Sequence, residues 1–288
     1  VSRLAAVTGA SGYLGGRVAS ALRAAGWEVR RLVRVPSEPG DAAFRLGEPL
    51  DPAALKGVDA LVHAAHDFSA FGWDETNRIN VEGSFELLSA AKRAGVGRIV
   101  AVSSISAFPG CVSDYGRAKL LVEEAAKACG GLSVRPGLLY GGGRGGMFGA
   151  LARLTRLPVV PLVDGGRQLL YLAHADDAAA AVAAALGFDA ALSAAPIALA
   201  HPEPVPFGEI LRALARGQGR SPLFVRAPSA PMLAGLGLAE ALGLRLRTRR
   251  DGLLGLLHPN PAPDFEPARR LGLGFRRFLD QDPASYAA

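Results

Sequence analysis

Cysteine, tryptophan and methionine each occur only twice in these 288 residues, and lysine supplies just four of the 32 basic side chains. Cys111 and Cys129 are too few for a disulfide framework and lack metal-ligand spacing, so both read as free thiols of a reducing compartment. Five histidines are present, but His63 and His66 in "HAAH" miss the H-E-x-x-H spacing of a zinc helix, and no metal is expected. Long apolar runs are missing too. "AAAAVAAALGF" at 178–188 is bounded by Asp177 and Asp189 and falls short of the ~20 residues a spanning helix needs, which argues against a membrane partner. The opening "VSRLAAVTGASG" enters a strand and a glycine turn with no room for a signal peptide, so a cytoplasmic protein is expected. Charge of one sign is not segregated either. The formal net charge is +6, yet Asp and Glu interleave with Arg along the chain. Two richer patches, "RLRTRR" at 245–250 and "RRLGLGFRR" at 269–277, read as solvated faces, with an anionic ligand or partner as the alternative. No nucleic-acid fold signature accompanies them.

What is present is a 50% hydrophobic chain long enough for one large domain and a small appendage. Apolar runs alternate with helical patterns: "RLAAV" then 15–25, "EVRRLV", "ALVHAA" then 76–94, "RIVAVSS" then 113–129, and "LSVRPG". That order predicts βαβ units, hence an α/β, doubly wound Rossmann-type parallel sheet with helices on both faces. After residue 140 Gly and Pro become frequent. We expect residues 1–140 to form the dinucleotide-binding core, with 168–200 returning to it through "PIALA", and 141–167 with 201–288 to form a smaller C-terminal substrate-binding region.

Directly after the first strand, Gly9, Gly12 and Gly15 in "TGASGYLG" stand at G-x-x-G-x-x-G spacing and open a helix that ends at Gly26. Backbone amides approach a pyrophosphate closely in such a turn, and the helix N-terminus favours its charge. The second strand, "WEVRRLVRVP", lacks the Asp or Glu that an NAD ribose would engage. It ends instead near Arg34, whose guanidinium can fork onto a 2′-phosphate, so NADP(H) is preferred over NAD(H); alternatively Arg34 or Arg31 is a solvated cation.

In "SDYGRAKLLVEE" at 113–124, Tyr115 and Lys119 are four positions apart on a predicted helix that Ser113 can cap and Gly130 ends. They share a face. With five tyrosines and four lysines such a pair arises by chance roughly once in fourteen sequences of this composition, so other motifs must decide.

They do so by resemblance. "TGASGYLG" (8–15), "HAA" (63–65), "NVEGS" (80–84), "VSS" (102–104), "YGRAK" (115–119), "RPGLLYGGG" (135–143) and "HADD" (174–177) follow one another as in the extended short-chain dehydrogenase/reductase family, which the chain resembles over most of its length. The resemblance implies Tyr115 as general acid/base, Lys119 as its partner and the holder of the nicotinamide ribose, and Ser104 as the hydroxyl on the reacting oxygen, with Ser103 as the alternative. An adjacent ammonium would favour the phenolate. By the same motifs the cofactor would be lined by Gly9, Ser11, Gly12, Tyr13, Leu14, Gly15, Arg34, Ala64, Ala65, Ser103, Tyr115, Lys119, Pro136, Gly137 and Leu138. A homodimer through the helices flanking the sheet is also implied.

Two departures bear on substrate. Only residues 105–114 separate Ser104 from Tyr115, shorter than the loop that carries extra polar groups in sugar-nucleotide enzymes of the family. Where those enzymes read Q-x-R-D, this chain has Gln168, Leu169, Leu170 and Tyr171, although Arg167 is near. Phe68, Phe71, Trp73, Phe108, Tyr140, Met147 and Phe148 all follow strand ends, where α/β sheets bind ligands. The expectation is an NADP(H)-dependent oxidoreductase acting on a fairly apolar carbonyl or alcohol. A nucleotide-sugar epimerase or dehydratase, and a non-catalytic NADP(H)-binding protein, are the alternatives.

Overall fold

The computed structural model of the chain describes residues 3–142, 145–188, 195–244 and 249–286. Residue 143 of the "RPGLLYGGG" motif and residues 245–248 of the first basic patch lie outside them. The first half reads β1 (Arg3–Thr8), α1 (Tyr13–Ala24), β2 (Trp27–Val33), β3 (Ala42–Ala43), β4 (Ala60–His63), α2 (Gly72–Thr76), α3 (Gly83–Arg93), β5 (Arg98–Val102), α4 (Asp114–Ala128), β6 (Leu132–Pro136) and β7 (Leu138–Tyr140). The second half continues with α5 (Gly146–Leu154), β8 (Val159–Val163), β9 (Leu169–Leu170), β10 (Leu172–His174), α6 (Ala175–Ala185), β11 (Ile197–Leu199), β12 (Val205–Pro206), α7 (Phe207–Gly217), β13 (Leu223–Ala227), α8 (Ser229–Ala241), α9 (Arg250–Leu257) and α10 (Glu266–Arg270).

Seven strands form one parallel sheet in the order β11-β6-β5-β4-β1-β2-β3. The order reverses between β1 and β4, which opens a crevice at their C-terminal ends, the usual ligand position in such a sheet. Period-two alternation divides the strands between two cores. Val7, Val62, Val100 and Val134 face Val18 and Leu22 of α1 and Val182 of α6. Their neighbours Ala6, Leu61, Ile99 and Ala101 face Leu87 and Leu88 of α3 and Val122 and Ala126 of α4. Strands buried on both faces must be apolar throughout, which is why "ALVH" and "RIVAV" read as continuous runs. Among the described residues, no helix is long and apolar enough to cross a membrane.

One predicted element came out differently. The helix expected over 76–94 is broken by a π-helical stretch, Asn77–Glu82, before α3. The Asn80 side chain accepts from Asp67 N (2.6 Å) and donates to Asp67 O (3.1 Å), tying the turn to the segment after β4. At Gly83 a Cβ would stand 2.5 Å from Gly47 N, so the helix here presses on another backbone and only glycine fits. A widened turn of this kind is often found at functional sites.

Candidate active site

The glycine turn owes its shape to glycine at two positions. Gly9 has φ +66°, and its carbonyl accepts from Gly12 N at 2.8 Å. A Cβ on Gly15 would lie 2.2 Å from Gly9 O, whereas one on Gly12 would stand 3.1 Å from it and meet no other atom within 4 Å. That cradle fits a pyrophosphate, with Gly12 as the N-cap residue of α1 and Ser11 exposed beside it. Across the crevice, Thr8 Oγ1 accepts from Ala64 N and Ala65 N, both at 3.1 Å, and the Gly9 Cα lies so near these alanines that a Cβ would meet Ala64 at 3.0 Å. Tyr13 offers only its backbone to this cradle, because its hydroxyl donates to Gly141 O and Arg17 stacks 4.3 Å over its ring. Leu14 packs into the core under the turn. Pro136 is buried, Leu138 is half-buried, and Gly137 is required because a Cβ there would meet Tyr171 O at 2.3 Å.

Ser113 caps α4 by accepting from Gly116 N (3.1 Å), which sets Tyr115 in the first turn and Lys119 one turn on. The Ser104 side chain stands next to the Tyr115 phenol, where it opposes the rise in the phenol's pKa, and it accepts from Ser106 N (3.1 Å). Ser103 points the other way: its hydroxyl donates to Glu123, which also receives two hydrogen bonds of 2.7 Å from Arg135. Successive side chains leave a strand end on opposite faces, and this separates the two serines. Of the pair, the structure brings only Ser104 to Tyr115.

The electrostatics differ from the simple expectation of an ammonium lowering the phenol. Lys119 Nζ donates to Val102 O at 2.8 Å and stands 6.0 Å from the Tyr115 ring centroid. Burial raises the Tyr115 pKa, with Ser104 opposing it. Burial lowers that of Lys119 to about 8, with Glu123 opposing. At neutral pH the phenol is therefore protonated and able to donate a proton, with a cation close by.

The sequence pointed to Phe68 here but not to His66, Asp251 or Arg249. His66 packs edge-on to Tyr115 (5.0 Å between centroids), and Phe68 stacks on Tyr115 at 5.8 Å. Asp251 of α9 accepts from Asp114 N (2.6 Å) and Tyr115 N (3.3 Å), and Arg249 donates to Ala70 O (2.5 Å) and Ser69 O (3.2 Å). These two residues fasten the C-terminal region onto α4 and the segment after β4, and no local pattern announces them. Of the expected aromatics, Phe68 is 72% exposed beside Tyr115, while Tyr140 and Phe148 are buried against Phe278. Trp73 lies under Arg117, and Phe71 near Arg249. Arg31 is held by Asp41 and Glu38, while Arg34 is exposed just past β2 and makes no hydrogen bond or ion pair among the described residues. No group of described residues could hold a metal ion.

Behind the site His63 is buried between Thr8 Oγ1 and Ser84 Oγ, both 2.8 Å away. Burial, and then Lys119, lower its pKa from 6.5 to about 3. Unfolded chains take up this proton below pH 6.5 and the folded protein does so only near 3, so stability should fall with pH across that window. The slope approaches about 1.4 kcal/mol per pH unit for this group. Urea unfolding at several pH values should show a shallower slope in His63→Gln, with His66 supplying a residual term. Equal slopes would contradict this account.

A glycine cradle at the sheet's switch point, with a Ser, Tyr and Lys cluster beside it, defines the class as an NAD(P)-dependent oxidoreductase of the short-chain dehydrogenase/reductase type. The NAD dependent epimerase/dehydratase family matches residues 5–195, and the chain belongs to this family. A ceramide reductase of Caulobacter vibrioides is 30% identical over 280 residues, covering 91% of this chain and 86% of that protein. A 3-diazoavenalumate denitrifying reductase of a Streptomyces species is 30% identical over 305 residues, covering 93% and 98%. The crystal structure of gox2253 shares the fold at 23% identity and a TM-score of 0.74, covering 99% of this chain and 97% of that one.

Proposed function

We propose that the protein is an NADP(H)-dependent reductase of fairly apolar carbonyl compounds. The observation that carries this reading is the Tyr115 phenol set between Ser104 and the exposed ring of Phe68, with burial favouring its protonated form. When bound, the dinucleotide supplies the hydride that the carbonyl carbon receives. Tyr115 gives its proton to the carbonyl oxygen, Ser104 orients that oxygen, and Lys119 holds the nicotinamide ribose and a positive charge near the phenolate that results. Gly9, Gly12 and Gly15 would hold the pyrophosphate, with Ala64 and Ala65 lining the opposite wall. The region of 141–167 and 201–288 would close over the substrate, and this is supported by Asp251, which joins it to α4, and by Arg249, which joins it to the segment after β4. Leu170 in place of a diphosphate-binding cation favours an apolar substrate over a sugar nucleotide, as does the relative named for ceramide, a lipid. NADPH absorbance followed against a panel of apolar ketones tests the reading; no oxidation with any of them would sink it.

Arg34 supports the choice of NADP(H), because it makes no hydrogen bond or ion pair among the described residues, only a longer-range attraction to Asp67, and no Asp or Glu stands among the last residues of β2. Arg34→Ala should weaken NADP(H) by about 1.5–3 kcal/mol and leave NAD(H) nearly unchanged. Fluorescence titration of both dinucleotides reads this, and an equal loss for the two would refute it. A homodimer is part of the same reading: Phe85 of α3 is 56% exposed and Leu121 of α4 is 37% exposed on the flanking helices. Light scattering of Phe85→Asp against wild type would test it.

A further inference from the structure

Three of the histidines that the fold at least partly shields from solvent have one or both ring nitrogens hydrogen-bonded within the protein. His63 bonds Thr8 and Ser84, His174 bonds Asp176 N and Arg276, and His201 accepts from Glu203 N. His66 is the exception: it is half-buried, and among the described residues neither ring nitrogen has a hydrogen-bond partner. Its nitrogens are not sealed from solvent, since Gln168 Oε1 is the one buried side-chain polar atom without a partner among the described residues, so the imidazole edge is open to a ligand or water. The residue lies against the reacting groups, with its ring 5.0 Å from Tyr115 and 4.7 Å from Phe68.

We propose that His66 is a specificity-determining residue, which hydrogen-bonds a hydroxyl carried by the substrate on the carbon next to the reacting carbonyl. The inference rests on the assignment of Tyr115 as the proton donor to that carbonyl. Burial, then Lys119 and His63, hold the imidazole well below its usual pKa, so it is neutral and presents one donor and one acceptor nitrogen. A hydroxyl satisfies either tautomer. The imidazole meets the phenol ring edge-on, 5.0 Å between centroids, so with the carbonyl oxygen on Tyr115 and Ser104 a polar group on the neighbouring carbon is the one placed to reach it. Phe68, exposed and stacked on the same phenol, would take the apolar remainder of the molecule. The substrate class is thus an α-hydroxy ketone with a hydrocarbon tail. An unadorned ketone would leave the imidazole unpaired.

Hydroxymethyl nonyl ketone and methyl nonyl ketone are the probes. Each is titrated into the full-length protein saturated with NADP+, and each is then offered as substrate with NADPH. Wild type should bind the hydroxylated ketone about tenfold more tightly and show a similar ratio in kcat/KM. His66→Phe keeps an aromatic ring against Tyr115 and Phe68 and should bring both ratios to about one; His66→Asn should restore part of the preference. A preference that survives His66→Phe, an equal loss for both ketones, a fall in NADP+ affinity alone, or binding of neither ketone would overturn the assignment. The expected binding ratio without NADPH oxidation would instead refute the reductase reading while leaving His66 in its place.

Discussion

Tyr115→Phe should lower turnover by about 10²–10⁴-fold while cofactor affinity and thermal stability change little. The substitution removes one hydroxyl and keeps the ring, so the contacts with His66 and Phe68 remain. What disappears is the phenol hydroxyl that stands beside Ser104. Since the phenol is protonated in the free enzyme, the loss should fall on kcat for ketone reduction and persist across the neutral pH range. The measurement is kcat and KM for NADPH oxidation, with NADP+ affinity and melting temperature as controls. Wild-type turnover in this variant would show that the Tyr and Lys pair is a coincidence of helix spacing.

Gly15→Ala is expected to abolish dinucleotide binding and to destabilise the protein, by about 1–3 kcal/mol or more. Its Cβ would stand 2.2 Å from Gly9 O and 2.7 Å from Gly9 C, backbone atoms that cannot move without breaking the 2.8 Å Gly12 N to Gly9 O hydrogen bond. Gly12→Ala provides the contrast. Its Cβ meets only Gly9 O, at 3.1 Å, so the fold should stand while the methyl blocks the approach of the pyrophosphate. Thermal denaturation and NADP(H) titration of the two variants separate the effects. If Gly15→Ala bound the dinucleotide normally, the cradle would have to lie elsewhere in the molecule.

Much of this protein was determined by short-range features of its sequence. The alternation of apolar runs with helical patterns led to the doubly wound sheet because burial on both faces forces continuous apolar strands. Spacing alone set Gly9, Gly12 and Gly15 in one turn and Tyr115 and Lys119 on one helix face, since both depend on local backbone geometry. Tertiary structure decided what lies across the chain. Ser104 rather than Ser103 meets Tyr115, because the end of β5 turns one hydroxyl toward α4's first turn and the other into the Glu123 and Arg135 cluster. Lys119 engages Val102 O, His66 comes to the phenol, and Asp251 caps a helix 137 residues earlier. Tyr140 and Phe148 left the expected lining for a core built with Phe278. Local propensity carries no information about such partners, because the contacts join segments that only the closed sheet and the C-terminal helices bring together, and their energy appears once water has been excluded between them.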